Sequence, residues 1–203
     1  MPRFFGLMAA VALVAAPLLL SGCANSKPSR FYVLTPVSAP NPAAAPGPSL
    51  GVGPVTIPQY LDRPEIVTRS SDNQLQLAEF DQWGGRIGDN ITRVLAENLS
   101  SLLKTDRVSI YPWTDSSALT DQITVNITQF ERDQSGSVAL TAFWTIADAQ
   151  SGKILLNGRS NIQKPVTASA TGDNYEAIAA AMSQALAGLT DELVAAIRRL
   201  PAG

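Results

Sequence analysis

Few side chains of this 203-residue chain could carry out covalent chemistry. It has no histidine and a single cysteine, Cys23. A Ser-His-Asp triad, a Cys-His dyad and a His-ligated metal each need an imidazole, so these classes of site are excluded. The lysines that a serine-lysine hydrolase would require occur in no recognisable catalytic context. We therefore expect no catalytic residue and no enzymatic activity.

Other ligand-binding patterns are equally weak. The glycines of Gly51-Val52-Gly53 and of Trp83-Gly84-Gly85-Arg86 lack the spacing of a dinucleotide or Walker loop, and Pro54 stands where helix-starting amides would be needed. The carboxylates are scattered without calcium-loop spacing. A formal net charge of −2 argues against a nucleic-acid partner, which requires a basic face. We expect no metal site and no bound cofactor.

The sole cysteine stands at the end of an export signal. Arg3 precedes an apolar run over residues 4–20, which ends in Leu20-Ser21-Gly22-Cys23. A transmembrane anchor is the alternative, because the run is about the minimum length that spans a bilayer. The small residues directly before the cysteine match a lipobox and favour a lipoprotein signal peptide over residues 1–22. Cleavage would leave Cys23 first, with diacylglycerol on its sulfur and an acyl chain such as palmitate on its amino group.

The lipid on Cys23 would decide where the protein resides. Each buried methylene contributes about 0.8 kcal/mol, so three acyl chains would make release negligible. The next residue is Ala24 rather than the aspartate that favours retention in the inner membrane of enteric-type bacteria. We therefore expect the protein on the periplasmic face of the outer membrane.

The mature chain divides into an N-terminal segment over residues 23–49 and a body over residues 50–203. The first contains the lipidated cysteine, a polar tether, a strand predicted over residues 30–35 and a proline-rich linker. If that strand docks on the body, the free tether is residues 24–29, which reach at most about 20 Å. The body would then sit close to the membrane surface.

Hydrophobic periodicity predicts the elements of the body. Alternation of period two predicts strands and an antiparallel meander, and apolar residues three or four apart predict helices. A capping box with Asp173 and Glu176 predicts the start of the last helix. These patterns predict an α+β domain, with a mostly antiparallel sheet and two long amphipathic helices on one face. The predicted strands are 50–57, 65–69, 74–79, 107–111, 121 to the Gln134 turn, 138–146 and 153–164, and the predicted helices are 84–104 and 173–200.

Several segments resemble a known family. The stretch Gly51–Val67, and within it Pro58–Pro64 above all, is similar to the ABC-type transport auxiliary lipoproteins, the PqiC-like family. The strand at Arg30–Leu34, the Phe80–Trp83 segment and the Arg93–Leu99 helix also fit this family, and the likeness covers nearly the whole mature chain.

The resemblance implies a non-catalytic auxiliary subunit of an intermembrane lipid-transport system. Its partner would be a periplasmic MCE-domain protein that forms a hydrophobic conduit between the membranes. The lipoprotein would receive that conduit at the outer membrane and so support the integrity of the envelope.

Within this interpretation one loop and one tryptophan are candidates for the partner-binding surface. Pro58 and Pro64 exclude a regular helix between them. Anchors of protein interfaces are enriched in tryptophan, tyrosine and arginine. The same side chains could equally close the core or form turn contacts within the monomer, and the sequence leaves both roles open. The candidates are Tyr60, Leu61, Asp62, Arg63, Pro64 and Trp83.

A different function also fits the sequence. The protein could be a periplasmic carrier that itself holds an acyl chain of a phospholipid between sheet and helices, lined by Val138, Leu140, Trp144 and the apolar stripe of the terminal helix. A pocket lining and a core are both apolar, so the residues do not separate the two. A third alternative is a purely structural envelope lipoprotein. The sequence also leaves open the transported substrate, the strand order and whether the chain forms a homo-oligomer.

Overall fold

The computed structural model describes residues 27–37, 47–167 and 174–200. The signal peptide, Cys23 and most of the proline-rich linker lie outside the described residues. The described strands are β1 (Arg30–Tyr32), β2 (Leu50–Thr56), β3 (Glu65–Ser71), β4 (Gln74–Trp83), β5 (Val108–Ile110), β6 (Asp121–Arg132), β7 (Ser137–Asp148) and β8 (Ile154–Pro165), and the helices are α1 (Ile87–Leu103) and α2 (Tyr175–Ile197).

These strands form one mixed sheet. Six of them follow the hydrogen-bonded path β1-β4-β3-β6-β2-β5. Off this path, β7 pairs with β6 and β8 pairs with β7. The pairs β3–β4, β6–β7 and β7–β8 are antiparallel, whereas β1–β4, β2–β5, β2–β6 and β3–β6 are parallel. The α+β class with two helices is confirmed, but the prediction of a mostly antiparallel sheet is wrong.

The reason for the error lies in the connections. Tight turns join β3 to β4 and link the β6–β7–β8 meander, and a tight turn forces antiparallel pairing. Between β2 and β5 the chain runs through a hairpin and α1, a connection long enough to return it in the same direction. Side-chain alternation identifies a strand but contains no information on its direction.

Both helices cover the sheet and contact each other. α1 packs against β2 and β5, and α2 packs mainly against β7 and β8. Their apolar stripes meet the inward side chains of the meander, where Ile123 pairs with Ile146 and Ile146 with Leu156. Among the described residues, neither helix has the length and hydropathy needed to cross a bilayer.

The N-terminus of α2 differs from the predicted capping box. The cap is Asn174, whose side chain accepts a hydrogen bond from the backbone N–H of Ala177 at 3.2 Å. Asp173 lies outside the described residues, and Glu176 stands exposed in the first turn. Aspartate and asparagine are comparable caps. The helix therefore begins at Tyr175, which is buried, and its cap stands one residue after the predicted one.

Candidate partner-binding site

The segment between β2 and β3 folds as a compact turn over residues 58–64. The backbone N–H of Leu61 donates to the carbonyl of Pro58 at 2.9 Å, and the N–H of Asp62 donates to Gln59 at 3.2 Å. At its far end the N–H of Trp83 donates to the carbonyl of Pro64 at 2.7 Å. The end of β4 is therefore fixed against the turn.

Three of the six sequence candidates point into the protein. Leu61 and Trp83 are buried members of the hydrophobic core. Tyr60 is half-buried, and its hydroxyl donates to Oε2 of Glu131 at 2.9 Å. These side chains hold the turn on the sheet, and a partner could contact little of them without rearrangement.

Glu131 organises a buried polar cluster beneath the turn. Its side chain is 0% exposed and accepts from Arg69 Nε at 2.7 Å and from the backbone N–H of Phe130 at 3.0 Å. Burial, together with the negative charge and hydrogen bond of Glu131, raises the pKa of Tyr60 to about 12. The hydroxyl of Tyr60 therefore stays protonated as a donor.

Sequence reasoning missed both charged members of this cluster. Along β6 the inward positions Ile123, Val125 and Ile127 alternate regularly, but the pairing register shifts between Ile127 and Gln129. The shift places Phe130 and Glu131 both in the interior. In the sequence, Glu131 directly follows an apolar phenylalanine, so regular alternation would place its carboxylate on the outer face. Only the position of the bulge shows that both residues point inward.

The other three candidates line an open cleft on the outer side of the turn. Trp83, Gly85 and Arg86 also line the cleft, which has a volume of about 410 Å³. We call Asp62, Arg63 and Arg86 the cleft rim. Pro64 adds an apolar surface beside these charges.

The charges of the cleft rim are only loosely paired. Arg63 Nε donates to Oε2 of Glu65 at 2.9 Å, and this bond lowers the pKa of the Glu65 carboxyl. Arg86 Nη2 lies 3.8 Å from Oδ2 of Asp62, and the Arg86 side chain is 74% exposed. Exposed pairs of this kind contribute about 0–1 kcal/mol, so a partner's carboxylates or carbonyls could replace them at little cost.

The first strand joins the chain's N-terminal segment to the body. β1 pairs in parallel with β4, and Arg30 donates from Nε and Nη2 to the two carboxylate oxygens of Asp81 at 2.7 and 2.9 Å. The hydroxyl of Tyr32 donates to the same carboxylate at 2.7 Å. Burial alone would raise the pKa of Asp81, but the hydrogen bonds from Arg30 and Tyr32 outweigh it and lower the pKa.

The segment after β1 is bound to both helices. Leu34 is fully buried, and its carbonyl accepts from Arg93 Nη2 of α1 at 2.8 Å. The backbone N–H of Thr35 donates to Ser183 Oγ of α2 at 3.1 Å. Residues 34 and 35 are therefore fixed to both helices of the body. The predicted strand 30–35 is a regular strand only over its first three residues.

The proposed lining of a lipid carrier is part of this core. Val138 and Leu140 are buried among the residues of the continuous core. Trp144 is half-buried against Gly158, where a Cβ atom would clash with its ring, and its Nε1 donates to Ser160 Oγ at 3.0 Å. These three side chains pack against neighbours. Among the described residues, no group of acidic or cysteine side chains could hold a metal ion.

The comparisons with known proteins agree with one another. Residues 32–194 match the family described as ABC-type transport auxiliary lipoprotein component. The intermembrane transport lipoproteins PqiC of Escherichia coli (strain K12) and of Shigella flexneri are each 28% identical over 196 residues, which cover 92% of this chain and 96% of theirs.

Solved structures share the fold. The crystal structure of an uncharacterized protein has a TM-score of 0.68 at 20% identity and covers 84% of this chain and 99% of that chain. A protein from Xanthomonas campestris has a TM-score of 0.64 at 20% identity and covers 81% of this chain and 92% of its own. The predicted family is confirmed: the chain belongs to the ABC-type transport auxiliary lipoprotein component family.

Proposed function

We propose that this protein is the outer-membrane docking subunit of an intermembrane lipid-transport system. Acyl chains on Cys23 hold it on the periplasmic face of the outer membrane. Its body receives a periplasmic MCE-domain protein, whose conduit delivers lipid between the membranes. The protein contributes placement and has no chemistry of its own.

The observation that carries this proposal is the likeness to the PqiC lipoproteins over nearly their whole length. Those relatives are named intermembrane transport lipoproteins, and the match covers 96% of each. A match of that extent includes the N-terminal region as well as the body, which supports a common arrangement of anchor and domain. The family gives the chain an auxiliary role in transport, and the docking role is our proposal.

The attachment of β1 to the body supports a short tether between the lipid anchor and the body. The Arg30–Asp81 pair and the buried Leu34 fix the chain to the body directly after the tether. Only residues 24–29 separate the predicted lipid anchor from β1, and these span at most about 20 Å. A body held this close to the membrane is suited to receive a conduit that ends there.

The cleft rim is the surface that we propose for the partner. It combines two accessible arginines with the apolar ring of Pro64, in a concave surface fixed by the 58–64 turn. Arginine next to an apolar surface is a frequent anchor at protein interfaces. Of the six sequence candidates, Asp62, Arg63 and Pro64 are therefore the ones we assign to contact, whereas Tyr60, Leu61 and Trp83 support the surface from below.

The alternative role of an acyl-chain carrier has less support. Its proposed lining residues Val138 and Leu140 belong to the continuous core, so an acyl chain between sheet and helices would have to displace core side chains. Lipid extraction of the purified domain separates the two functions. Phospholipid that co-purifies reproducibly in a fixed ratio would favour the carrier.

A Cys23→Ser variant tests the docking role in cells. We expect mass spectrometry to find a diacylated and N-acylated Cys23 at the N-terminus of the wild-type protein. The Ser variant should leave the outer-membrane fraction and weaken the cell's permeability barrier. An unprocessed Met1, or an intact barrier with the Ser variant fully expressed, would contradict the proposal.

A further inference from the structure

The first described strand has an apolar outer side. Tyr32 and Leu34 point toward the core, whereas Phe31 and Val33 point outward and are 66% and 53% exposed. In the β1–β4 register Phe31 lies beside Gln82, which places Phe80 on the same side of the sheet. Lys27 Nζ lies 5.9 Å from the centre of the Phe80 ring. We call Lys27, Phe31, Val33 and Phe80 the tether patch.

Two exposed apolar side chains beside an aromatic ring and a lysine need an explanation at this position. Burying one phenylalanine side chain favours the buried state about tenfold or more. Phe143 on β7 offers a contrast, because it is 46% exposed but has Arg159 stacked over its ring at 5.5 Å. Phe31 has no stacked cation among the described contacts, and its neighbour Val33 extends the apolar surface.

The length of the chain before the patch indicates what covers it. Lys27 is four residues after Cys23 and Phe31 is eight, so they lie within about 14 and 29 Å of that residue. If Cys23 is acylated, as the proposed function requires, this tether holds the patch next to lipid headgroups at high effective concentration. A lysine suits anionic headgroups, and phenylalanine suits the boundary with the acyl chains.

We propose that the tether patch rests on the membrane itself, with Phe31 and Val33 inserted into the headgroup region. The acyl chains of Cys23 hold the protein at the bilayer, and the patch gives the body a fixed orientation on it. The two contacts act together. The anchor supplies most of the affinity, and the patch removes the rotational freedom that a single flexible attachment would leave.

The absence of other cysteines makes a direct experiment feasible. Because Cys23 is the only cysteine and its sulfur is acylated, Phe31→Cys in the full-length lipoprotein introduces a unique free thiol. This thiol is labelled with nitrobenzoxadiazole, and the protein is reconstituted into vesicles of phosphatidylethanolamine and phosphatidylglycerol. Phe143→Cys is the matched control, and Val33→Cys provides a second position within the patch.

We expect the labels at residues 31 and 33 to emit at shorter wavelength and to be quenched by nitroxide lipids, whereas the label at residue 143 stays water-like. Water-like emission at both patch positions in acylated protein would contradict the proposal that the tether patch contacts the membrane. Shielding without quenching by nitroxide lipids would overturn it in favour of contact with a second copy. Labelling of wild-type Cys23 itself would reveal a free thiol, and would overturn the anchor and the patch together.

Discussion

The two sides of the 58–64 turn use charge in opposite ways. Beneath the turn, Tyr60 and Arg69 donate to a Glu131 that is 0% exposed. We call these three residues the inner cluster. Above the turn, the cleft rim has similar charges that stay in water, with a separation of 3.8 Å between Arg86 and Asp62. The inner cluster is therefore part of the interior, whereas the rim stays exposed to solvent.

This difference has a physical basis. A buried carboxylate pays a large desolvation cost and tolerates no loss of its donors. An exposed pair is screened by water and gives up its partner cheaply. The buried Arg69–Glu131 pair is thus poorly suited to binding another protein, because a binding partner would have to separate the two charges and so destabilise the domain. The predictions below test this division.

Arg69→Met should have the largest effect on stability. The variant leaves the Glu131 carboxylate buried without its cation, and breaking a buried pair in this way costs about 3–5 kcal/mol. Urea denaturation of the purified domain measures the loss. Arg63→Met in the partly exposed Arg63–Glu65 pair is the matched control and should cost less than about 1 kcal/mol. Equal losses in the two variants would contradict the division between inner cluster and cleft rim.

Tyr60→Phe isolates one hydrogen bond of the inner cluster. The variant keeps the ring and removes the hydroxyl that donates to Glu131 at 2.9 Å. A hydrogen bond to a charged group contributes about 1.5–3 kcal/mol, and we expect a loss in that range. Partner capture by the folded variant should be unchanged. If the variant were as stable as the wild type but no longer bound the partner, Tyr60 would be an interface residue and not a structural one.

Asp81→Asn extends the comparison to β1. The pKa of Asp81 is lowered in the folded protein, so its contribution to stability is present above the ordinary value of 3.8 and is lost as pH falls through the folded pKa. We expect the variant to lose about 1 kcal/mol at neutral pH, because Arg30 is half-exposed. Denaturation at pH 7 and near pH 3 measures the difference, which should shrink in acid. A difference that grows in acid would contradict this assignment.

Arg63→Ala should have the smallest effect on stability. Within the described part of the chain its side chain bonds to the nearby Glu65, so the free energy of unfolding should change by less than about 1 kcal/mol. Binding of the MCE-domain partner should nevertheless fall. Isothermal titration compares it with Arg159→Ala, which removes an exposed arginine on β8. If both variants bound the partner equally well, Arg63 would not be part of the interface.

Much of the fold could be predicted because it rests on local patterns. The helices follow from apolar residues three or four apart, and the meander follows from alternation around glycine-containing turns. The parallel pairing of β2 with β5 could not be predicted, because their relative direction is set by 51 residues of intervening chain folded in three dimensions. The cap of α2 is Asn174 and not the predicted Asp173, because neighbouring aspartate and asparagine residues cap almost equally well and the sequence does not choose between them.

The sequence identified the stretch of chain that forms the candidate site, but not which of its side chains lie on the surface. The prolines at 58 and 64 correctly excluded a regular helix between them, yet the sequence contains no signal for which side chains point inward. Tyr60 faces the interior because Glu131, 71 residues away, accepts its hydroxyl. Arg86 completes the cleft because β4 ends against Pro64. The acylation of Cys23 and the contact roles of Asp62, Arg63 and Pro64 stay predictions.

Capture of the partner onto vesicles by the lipidated protein tests the central claim most directly. Full-length protein is reconstituted into vesicles, incubated with a purified periplasmic MCE-domain protein, and floated on a density gradient. We predict that the wild-type and Arg159→Ala proteins carry the partner to the top of the gradient, and that Arg63→Ala combined with Arg86→Ala leaves it at the bottom. Flotation of the partner with the folded, lipidated double variant would contradict the assignment of the cleft rim as the docking surface.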